Sequence, residues 1–319
     1  MLAPTYRVIL QPADAPVTGG ARDAAVAMLA LHARRSRAAI AGWKRAHPDR
    51  ALVVALTGTD LYRDVPAGDA DALASIAEAD RLVVLQEDAL RHLPAVRRPS
   101  ASVVVQSART LVPWARKSAT RLNAILVGHL RDEKDPRTAL AAWRLLPSDV
   151  PATLTIVGGA LDPAIADDVR AAAAADSRVR WLGARPHAWT RQAIRRAHVL
   201  VVASRMEGGA NVVAEALASG TPVIGTRMSG NLGMLGADYP GYFEVGDAAG
   251  LAAAIARAAR DRRWLASLAR CAERRARMTT PAAEAASIAG AVEAAIAGAT
   301  GKIPGFPAKA RGPRANAPT

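Results

Sequence analysis

Aromatic residues and cysteine are scarce in this chain. Only 4% of its 319 residues are aromatic while 51% are hydrophobic, so a core must be built mainly from Ala, Val and Leu. The single cysteine, Cys271, excludes an internal disulfide and a cysteine metal cluster. Because it lies in an amphipathic, Arg-rich stretch, we expect an ordinary helical residue there.

Long uncharged apolar runs are also lacking. Arg or Asp interrupts the Ala-rich segments, so we expect no stretch of the roughly 18 apolar residues that a bilayer span needs. The N-terminus has no readable secretory signal. These absences favour a cytoplasmic protein without stable membrane insertion.

Positive charge is abundant. The chain has 42 Lys and Arg against 28 Asp and Glu, a net charge of +14, which suggests an anionic partner. No helix-turn-helix, zinc or aromatic-basic signature accompanies the charge, so we predict no nucleic-acid role. Arg and Ala enrichment throughout the chain is also what a high-GC genome produces, and an anionic small-molecule substrate would use the same potential.

Short apolar runs alternate with helical, Ala/Arg-rich stretches, which is typical of parallel α/β sheets. The length suits two domains, and the proline-interrupted stretch 110–121 indicates a boundary between domains at 1–115 and 120–280. A last helix is predicted at 281–298, and the Pro/Gly-rich, basic tail 301–319 is expected to be disordered. The predicted strands are 6–10, 26–31, 52–56, 82–85, 102–105, 123–127, 153–157, 179–182, 199–203, 223–226 and 242–245.

The segment Ser204–Gly220 (SRMEGGANVVAEALASG) carries the clearest chemical signal. Glu207 precedes a glycine pair, and Glu215 follows eight residues later on a predicted helix. The glycines let backbone amides approach an anion, and a helix N-terminus adds partial positive charge. Since phosphate oxygens repel a neighbouring carboxylate, the natural partners of these carboxylates are hydroxyl groups. Phosphate beside hydroxyls indicates a nucleotide sugar.

Together with TPVIGT (221–226), this segment resembles the E-x7-E signature of family 4 glycosyltransferases. Five further segments extend the resemblance towards one branch, which contains the selenosugar synthase of selenoneine biosynthesis. They are ALHARRS (30–36), VVALTGTDLYRD (53–64), VGHLRDEKDP (127–136), VGGALD (157–162) and SGNLGMLGADYPGYFEVGD (229–247).

The resemblance implies the GT-B fold, in which two Rossmann-like α/β domains face each other across a cleft and a C-terminal helix crosses back to the first domain. It implies a UDP-sugar donor, UDP-N-acetylglucosamine, in the second domain and selenophosphate as the nucleophile at the first. The products would be a 1-seleno-sugar, UDP and phosphate. No cofactor and no metal are expected, and the oligomeric state stays open.

By this resemblance, Glu215 holds the ribose hydroxyls of UDP and Glu207 lies beside the transferred sugar. Arg131 and Lys134 follow a strand and compensate charge as UDP departs, since Arg grips phosphate at two points and Lys acts as a point charge. The alternative for these two is a solvated, charged helix start. The predicted catalytic residues are Glu207, Arg131, Lys134 and His32. The predicted donor-binding residues are Gly128, Arg131, Lys134, Gly158, Leu182, Arg205, Gly208, Gly209, Ala210, Asn211, Glu215, Ser229 and Asn231.

The first domain offers candidates for the acceptor. His32 follows a predicted strand, and with Arg34 and Arg35 it suits a small dianionic acceptor such as selenophosphate. A structural role for His32 remains open, as does the alternative that Arg34 caps its helix or meets Asp60. The predicted acceptor-binding residues are His32, Arg34, Arg35, Thr57, Thr59 and Gln106.

A possible cation motif is discounted. Asp69 and Asp71 match the D-x-D that holds a cation on the donor diphosphate in another glycosyltransferase architecture. Because they lie in a polar loop away from a strand end, we predict that positive side chains and helix dipoles replace the metal.

The N-terminus departs from the family pattern. YRVIL (6–10) matches the second strand of the first domain, so the first strand and its glycine-rich turn have no counterpart, which we interpret as a start assigned too late. Two other functions stay open. One is a family 4-like glycosyltransferase with a sugar, lipid or small-alcohol acceptor, which predicts a deprotonating base in the amino-terminal cleft. The other is a non-catalytic nucleotide-sugar-binding protein.

Overall fold

Two parallel β-sheets organise the described part of the chain, which is Leu2 and residues 5–300 of a computed structural model. Within it, the first sheet has the order β1-β2-β3-β4 and the second the order β10-β9-β8-β5-β6-β7. The strands of the first sheet are β1 (Ala27–Leu31), β2 (Ala51–Ala55), β3 (Arg81–Val84) and β4 (Ala101–Val103). Those of the second are β5 (Leu122–Val127), β6 (Ala152–Val157), β7 (Val179–Trp181), β8 (Val199–Val202), β9 (Val223–Thr226) and β10 (Tyr242–Phe243).

Helices connect the strands on both faces of the sheets. The α-helices are α1 (Arg37–Ala46), α2 (Ala70–Glu78), α3 (Pro136–Leu145), α4 (Pro163–Ala175), α5 (His187–Arg196), α6 (Asn211–Leu217), α7 (Ser229–Leu235), α8 (Ala248–Arg260), α9 (Arg262–Ala276) and α10 (Pro281–Thr300). Short 3₁₀ turns occupy Gly20–Ala24, Glu87–His92, Ala95–Ser100 and Asp132–Lys134, and a π-helical turn occupies Asp60–Asp64.

Local sequence explains how helices begin in the second domain. Pro136 and Pro163 stand at the first positions of α3 and α4, where a missing N–H costs nothing. The preceding Asp135 and Asp162 accept hydrogen bonds from the first-turn amides. Each cap fixes the point at which the chain leaves the loop after a strand, and these two loops carry the predicted donor residues Gly128, Arg131, Lys134 and Gly158.

Strand register positions those loops at one edge. β5 and β6 pair from Leu122↔Ala152 to Val127↔Val157, so both strands end at the same level. Apolar side chains fill the layer between sheet and helices, with Trp143 of α3 and Leu154 of β6 fully buried. The carboxyl ends of parallel strands therefore meet at a single edge, where ligands bind in open α/β sheets.

The last helix belongs to the first sheet by its contacts. Ile288, Val292 and Ala295 of α10 share a buried cluster with Val53 of β2 and Val83 of β3. Glu284 of α10 also accepts a 3.0 Å hydrogen bond from the backbone nitrogen of Ser107. The C-terminal helix thus completes the core of the amino-terminal domain.

The strand predicted at residues 6–10 is wrong. These residues have no regular secondary structure, and β1 begins only at Ala27. Leu10 is 91% exposed and Val8 44%, so most of the apolar pattern faces solvent. Tyr6 alone reaches the cluster beneath α10. A short apolar run does not make a strand unless a partner edge supplies backbone hydrogen bonds.

Helix α10 corrects one expectation from the sequence, that no stretch is long and apolar enough for a bilayer span. By length and composition alone, Pro281–Ala299 is apolar enough to cross a membrane, because only Glu284 and Glu293 interrupt it.

The tail expected to be disordered, 301–319, lies outside the described residues.

Candidate active site

The turn between β8 and α6 lies where the two domains touch. A Cβ atom at Gly208 would lie 2.3 Å from the backbone nitrogen of Gly58, in the turn after β2. A Cβ atom at Gly209 would lie 2.7 Å from Cβ of Leu85, directly after β3. Only glycine permits such close contact. The glycine pair after Glu207 therefore forms a backbone seam between the domains, and we call this contact the seam.

Glu207 and Lys134 form an ion pair beside the seam, although 73 residues separate them in sequence. Their side chains are 11% and 18% exposed, so the pair is largely removed from water. Glu207 Oε1 also accepts a 2.8 Å hydrogen bond from Ser204 Oγ. An ammonium group carries three donors, of which Glu207 uses one. Lys134 thus keeps donors for an anion while its charge balances the carboxylate.

The two predicted phosphate arginines differ in availability. Arg205 Nη2 lies 3.0 Å from Oδ2 of the buried Asp135, and its backbone nitrogen donates to Glu133 O at 2.9 Å. Arg131 Nε lies 3.7 Å from Glu133 Oε2, and the Arg131 side chain is 49% exposed. The guanidinium of Arg205 is held by the loop before α3, whereas that of Arg131 has only the longer contact to Glu133, and the two side chains are about equally exposed, at 50% and 49%.

The predicted glycine and leucine positions line the carboxyl edge of the second sheet. Gly158 has a φ of +154°, and a Cβ atom there would lie 1.8 Å from the carbonyl oxygen of Gly128. The Lys134 side chain packs over Gly128, and the Leu182 nitrogen donates to Ile156 O at 3.0 Å. The ends of β5, β6 and β7 therefore meet in one backbone surface beside Lys134.

Glu215 lies on α6 with a partner that the sequence reasoning missed. Its Oε1 is 2.6 Å from His187 Nε2, at the start of α5. The Glu215 side chain is 14% exposed and that of His187 78% exposed. Burial lowers the pKa of the nearby Arg191, while the Glu215 charge acts in the opposite direction. A sheltered carboxylate with an exposed, displaceable histidine is suited to accept hydroxyl hydrogen bonds from a ligand.

The remaining predicted donor residues separate into exposed and buried groups. Asn211 is exposed at the first position of α6, next to the buried Ala210. Ser229, partly exposed, begins α7 and reaches the first domain. Asn231 is fully buried and its Nδ2 donates to Thr226 O at 2.8 Å. The Asn231 amide therefore holds the loop after β9 together, and its diphosphate contact stays a prediction.

On the first domain, His32 forms a buried pair with Asp60. Nδ1 of His32 lies 2.7 Å from Asp60 Oδ1, and Asp60 is fully buried. If the Nδ1–H donates to the carboxylate, the neutral imidazole keeps its lone pair on Nε2, which has no hydrogen-bond partner among the described residues. Burial lowers the pKa of His32 below its usual 6.5, although Asp60 acts to raise it.

The backbone around this pair is unusual. His32 has a φ of +75°, a left-handed conformation that side chains other than glycine and asparagine adopt rarely. Asp60 accepts further hydrogen bonds from the Ala33 nitrogen at 3.0 Å and the Thr57 nitrogen at 2.7 Å. The carboxylate therefore fixes the ends of β1 and β2 against each other and holds the imidazole ring.

Other predicted acceptor residues lie at the same sheet edge. Arg34 meets Asp60 through its backbone nitrogen, which donates to Oδ1 at 3.4 Å, while its side-chain Nε lies 3.1 Å from Asp64 Oδ2 and the side chain is 40% exposed. Arg35 is exposed beside His32. Thr59 is partly exposed near the seam, and the buried Gln106 Oε1 lies 3.1 Å from the position of a Cβ at Gly209. The Thr57 hydroxyl donates to Asp60 at 3.0 Å.

His32, Asp60 and Asp64 form a group whose ligand atoms lie within 4.8 Å of one another, close enough to hold a metal ion. Their carboxylates already accept from backbone amides and from the guanidinium groups of Arg34 and Arg63. A cation would have to displace these donors. In the D-x-D segment, Asp69 caps α2 by accepting from Ala72 N at 2.9 Å.

Two further residues at the interface were not predicted. Tyr62 and Gln86 of the first domain both hydrogen-bond to Ser229 Oγ, at 2.9 Å and 3.3 Å. Tyr62 lies within the quoted segment 53–64, but nothing in its spacing indicates a contact 167 residues away. Only the packing of the two domains brings the three side chains together.

Comparisons with known proteins agree with this arrangement. Residues 121–261 match the model of a family described as glycosyl transferases group 1. No curated protein sequence matches the chain. The structure of Anabaena Alr3699/HepE in complex with UDP is similar with a TM-score of 0.74 and 16% identity, over 86% of this chain and 80% of that one.

Two further solved structures share the architecture. Sucrose-phosphate synthase from Thermosynechococcus elongatus has a TM-score of 0.71 at 21% identity, over 86% of this chain and 74% of that one. The pneumococcal O-GlcNAc transferase GtfA in complex with UDP and GlcNAc has a TM-score of 0.68 at 17% identity, over 83% and 56%. The described chain therefore has the GT-B fold, and its second domain has the sequence pattern of group 1 glycosyl transferases.

Proposed function

We propose that this protein is a glycosyltransferase that takes a sugar from a UDP-sugar bound by the second domain and transfers it to an acceptor at the first. The observation that carries the proposal is the Lys134–Glu207 pair beside the seam. It joins cationic donors, a carboxylate and closely packed backbone where the domain with the group 1 glycosyl transferase pattern meets the strand ends of its partner domain.

The donor side follows from charge. A UDP leaving group gains negative charge as the glycosidic bond breaks, and preorganised donors there lower the barrier. Lys134 retains N–H donors, and the accessible Arg131 adds a second cation. Glu215 is the carboxylate suited to the ribose hydroxyls because it is sheltered and lies one helix turn beyond Asn211. Solved relatives contain UDP, which supports the same choice of nucleotide.

For the acceptor we propose selenophosphate, with UDP-N-acetylglucosamine as donor. The sequence resemblance supports both identities, and the exposed Arg35 beside His32 supplies positive charge for a small anion. In this reaction a bond forms between selenium and the sugar C1 as the C1–O bond to UDP breaks. Water then attacks phosphorus, the Se–P bond breaks, and the products are phosphate and the 1-seleno-sugar. A soft selenium nucleophile needs little help from a base.

A second acceptor class is favoured by one observation. The His32–Asp60 pair contains a histidine whose Nε2 is buried and unpartnered, and burial lowers its pKa below 6.5, so it is neutral near pH 7; an acceptor hydroxyl would have to enter the space beside Nε2. Such a group is suited to remove a proton from a hydroxyl acceptor, as an ordinary family 4-like glycosyltransferase requires. The acceptor would then be a sugar or another alcohol.

The deciding experiment follows UDP release from UDP-sugars by the full chain, with selenophosphate, with simple sugars and alcohols, and with neither. Faster release only with selenophosphate and UDP-N-acetylglucosamine supports the first proposal. Equal release with ordinary acceptors, unaffected by selenophosphate, supports the second class. Binding of UDP-sugar without turnover under all conditions supports a non-catalytic binding protein. Lys134→Met is the site control and must abolish release.

We further propose that transfer needs no metal. Lys134 and Arg131 occupy the place where a cation would otherwise balance the diphosphate. Release of UDP after exhaustive treatment with a chelator should equal that of untreated protein. Activity that is lost on chelation and restored by a divalent cation would contradict this proposal. His32, Asp60 and Asp64 would then be the candidate metal ligands.

A further inference from the structure

Three side chains form a hydrogen-bonded cluster across the domain interface. Tyr62 and Gln86 belong to the first domain and Ser229 to the second. Tyr62 Oη lies 2.9 Å from Ser229 Oγ, and Gln86 Nε2 lies 2.9 Å from Tyr62 Oη and 3.3 Å from Ser229 Oγ. We call these three residues the interdomain cluster.

The orientation of the Gln86 amide is fixed from within the first domain. Gln86 is fully buried, and its Oε1 accepts a 3.0 Å hydrogen bond from the backbone nitrogen of Ala89. The carbonyl end of the side chain is therefore committed to the turn Glu87–His92. Its two N–H groups must face Tyr62 and Ser229, because both oxygens are within hydrogen-bonding distance.

This orientation determines which way the hydroxyl protons point. The Tyr62 oxygen accepts from Gln86, and its own proton finds an acceptor in Ser229 Oγ. Burial raises the pKa of Tyr62, so the phenol keeps its proton. A serine oxygen has two acceptor sites, and Tyr62 and Gln86 fill both. Of the hydrogen-bonding positions of the Ser229 hydroxyl, only its proton remains unused, and it points away from the two first-domain side chains.

Ser229 adjoins the seam. The next residue, Gly230, lies so close to Glu207 that a Cβ atom would be 2.3 Å from the Glu207 carbonyl oxygen. The residue that follows Ser229 is thus packed on Glu207, the partner of Lys134, where the proposed function needs donors for a diphosphate. A hydroxyl whose acceptor sites are both filled presents only its proton to that region.

We propose that Tyr62 and Gln86 are positioning residues that polarise Ser229 as a hydrogen-bond donor to the diphosphate of the bound nucleotide. The inference rests on the proposed function for the identity of the anion. Because the two positioning residues lie on the other domain, Ser229 acquires this polarity only when the domains are in contact. Closure of the cleft and stabilisation of the leaving group are thereby linked.

Two conservative variants test the direction of the hydrogen bonds. Tyr62→Phe removes one donor and keeps the ring, whose edge packs 4.9 Å from His92 between centroids. Gln86→Glu keeps the shape but, when ionised at mildly alkaline pH, offers acceptors instead of donors and pulls the Ser229 proton inward. We expect UDP affinity to fall about 2- to 10-fold in Tyr62→Phe and about 10- to 100-fold in Gln86→Glu.

Calorimetric titrations with UDP, inorganic pyrophosphate and uridine provide the readout. The Tyr62 and Gln86 variants should bind UDP and pyrophosphate more weakly than the wild type does. They should bind uridine, which has no diphosphate, with unchanged affinity. Ser229→Ala should reduce anion affinity, and adding Tyr62→Phe to it should cause no further loss. Tyr6→Phe, a tyrosine outside the cluster, is the matched control and should bind as the wild type does. Thermal unfolding checks that each variant is folded.

The outcomes separate this inference from the proposed function. Unchanged anion binding in Gln86→Glu, or an equal loss for uridine, overturns the positioning role. If the wild-type protein binds pyrophosphate but not UDP, the proposed nucleotide donor is refuted. A selective loss of pyrophosphate affinity in Gln86→Glu would still support the positioning role of the interdomain cluster. Wild-type protein that binds neither overturns both.

Discussion

The carboxylate of Glu215 allows a quantitative test of the donor site. Its side chain is 14% exposed and hydrogen-bonds to His187 at 2.6 Å. In Glu215→Gln the volume is kept and the charge is lost. A hydrogen bond to a charged group contributes about 1.5–3 kcal/mol, so UDP should bind about 10- to 150-fold more weakly if Glu215 holds the ribose.

Calorimetry with full-length protein measures this change. The 2′-deoxy analogue of UDP gives the specific readout, because the wild type should discriminate against it and Glu215→Gln should discriminate less. Glu273→Gln, at an exposed position of α9, is the matched control and should bind UDP as the wild type does. Unchanged UDP affinity in Glu215→Gln, or an undiminished preference for the 2′-hydroxyl, would refute the ribose role.

Four further predictions concern the first domain. His32→Asn tolerates the left-handed backbone and can still donate to Asp60, but it lacks the basic nitrogen, so kcat/KM with hydroxyl acceptors should fall about 100-fold or more. Since burial lowers the pKa of His32, the wild-type rate with hydroxyl acceptors should decline only when the pH falls below 6.5. A rate that already declines well above pH 6.5 would argue against His32 as the base. Arg35→Ala should raise the acceptor KM more than the donor KM, as steady-state kinetics can show. Arg34→Ala leaves the buried Asp64 with one guanidinium fewer, so it should mainly lower the melting temperature in thermal unfolding. Identical behaviour of the two variants would be inconsistent with the geometry. Gly58→Ala places a Cβ atom 2.5 Å from the Gly208 nitrogen and should lower kcat several-fold with little change in UDP affinity, while an unaltered kcat would show that the seam is not needed for transfer.

Much of the second domain was accessible from sequence because its signals are local. Apolar runs alternate with capped helices, and parallel strands bring their carboxyl ends to one edge. That rule alone predicts Gly128, Lys134 and Glu207 near one another, and the structure brings them into contact. Their roles towards a substrate stay predictions.

Contacts between domains were not accessible. Tyr62, Gln86 and Ser229 are joined by the way two separately folded sheets pack, and no periodicity encodes that distance. The His32–Asp60 pair was missed for a related reason, since the π-helical turn at Asp60–Asp64 directs Asp60 to His32 and leaves Arg34 to Asp64. At residues 6–10, a short apolar run predicted a strand, because sequence does not reveal whether a partner edge is available.

The packing of α10 on the first sheet has a consequence for biosynthesis. While the ribosome is still translating the second domain, the nascent amino-terminal sheet lacks Ile288, Val292 and Ala295, so one apolar face stays uncovered. The domain made first is therefore completed last, and truncation before residue 281 should release a chain that chaperones retain.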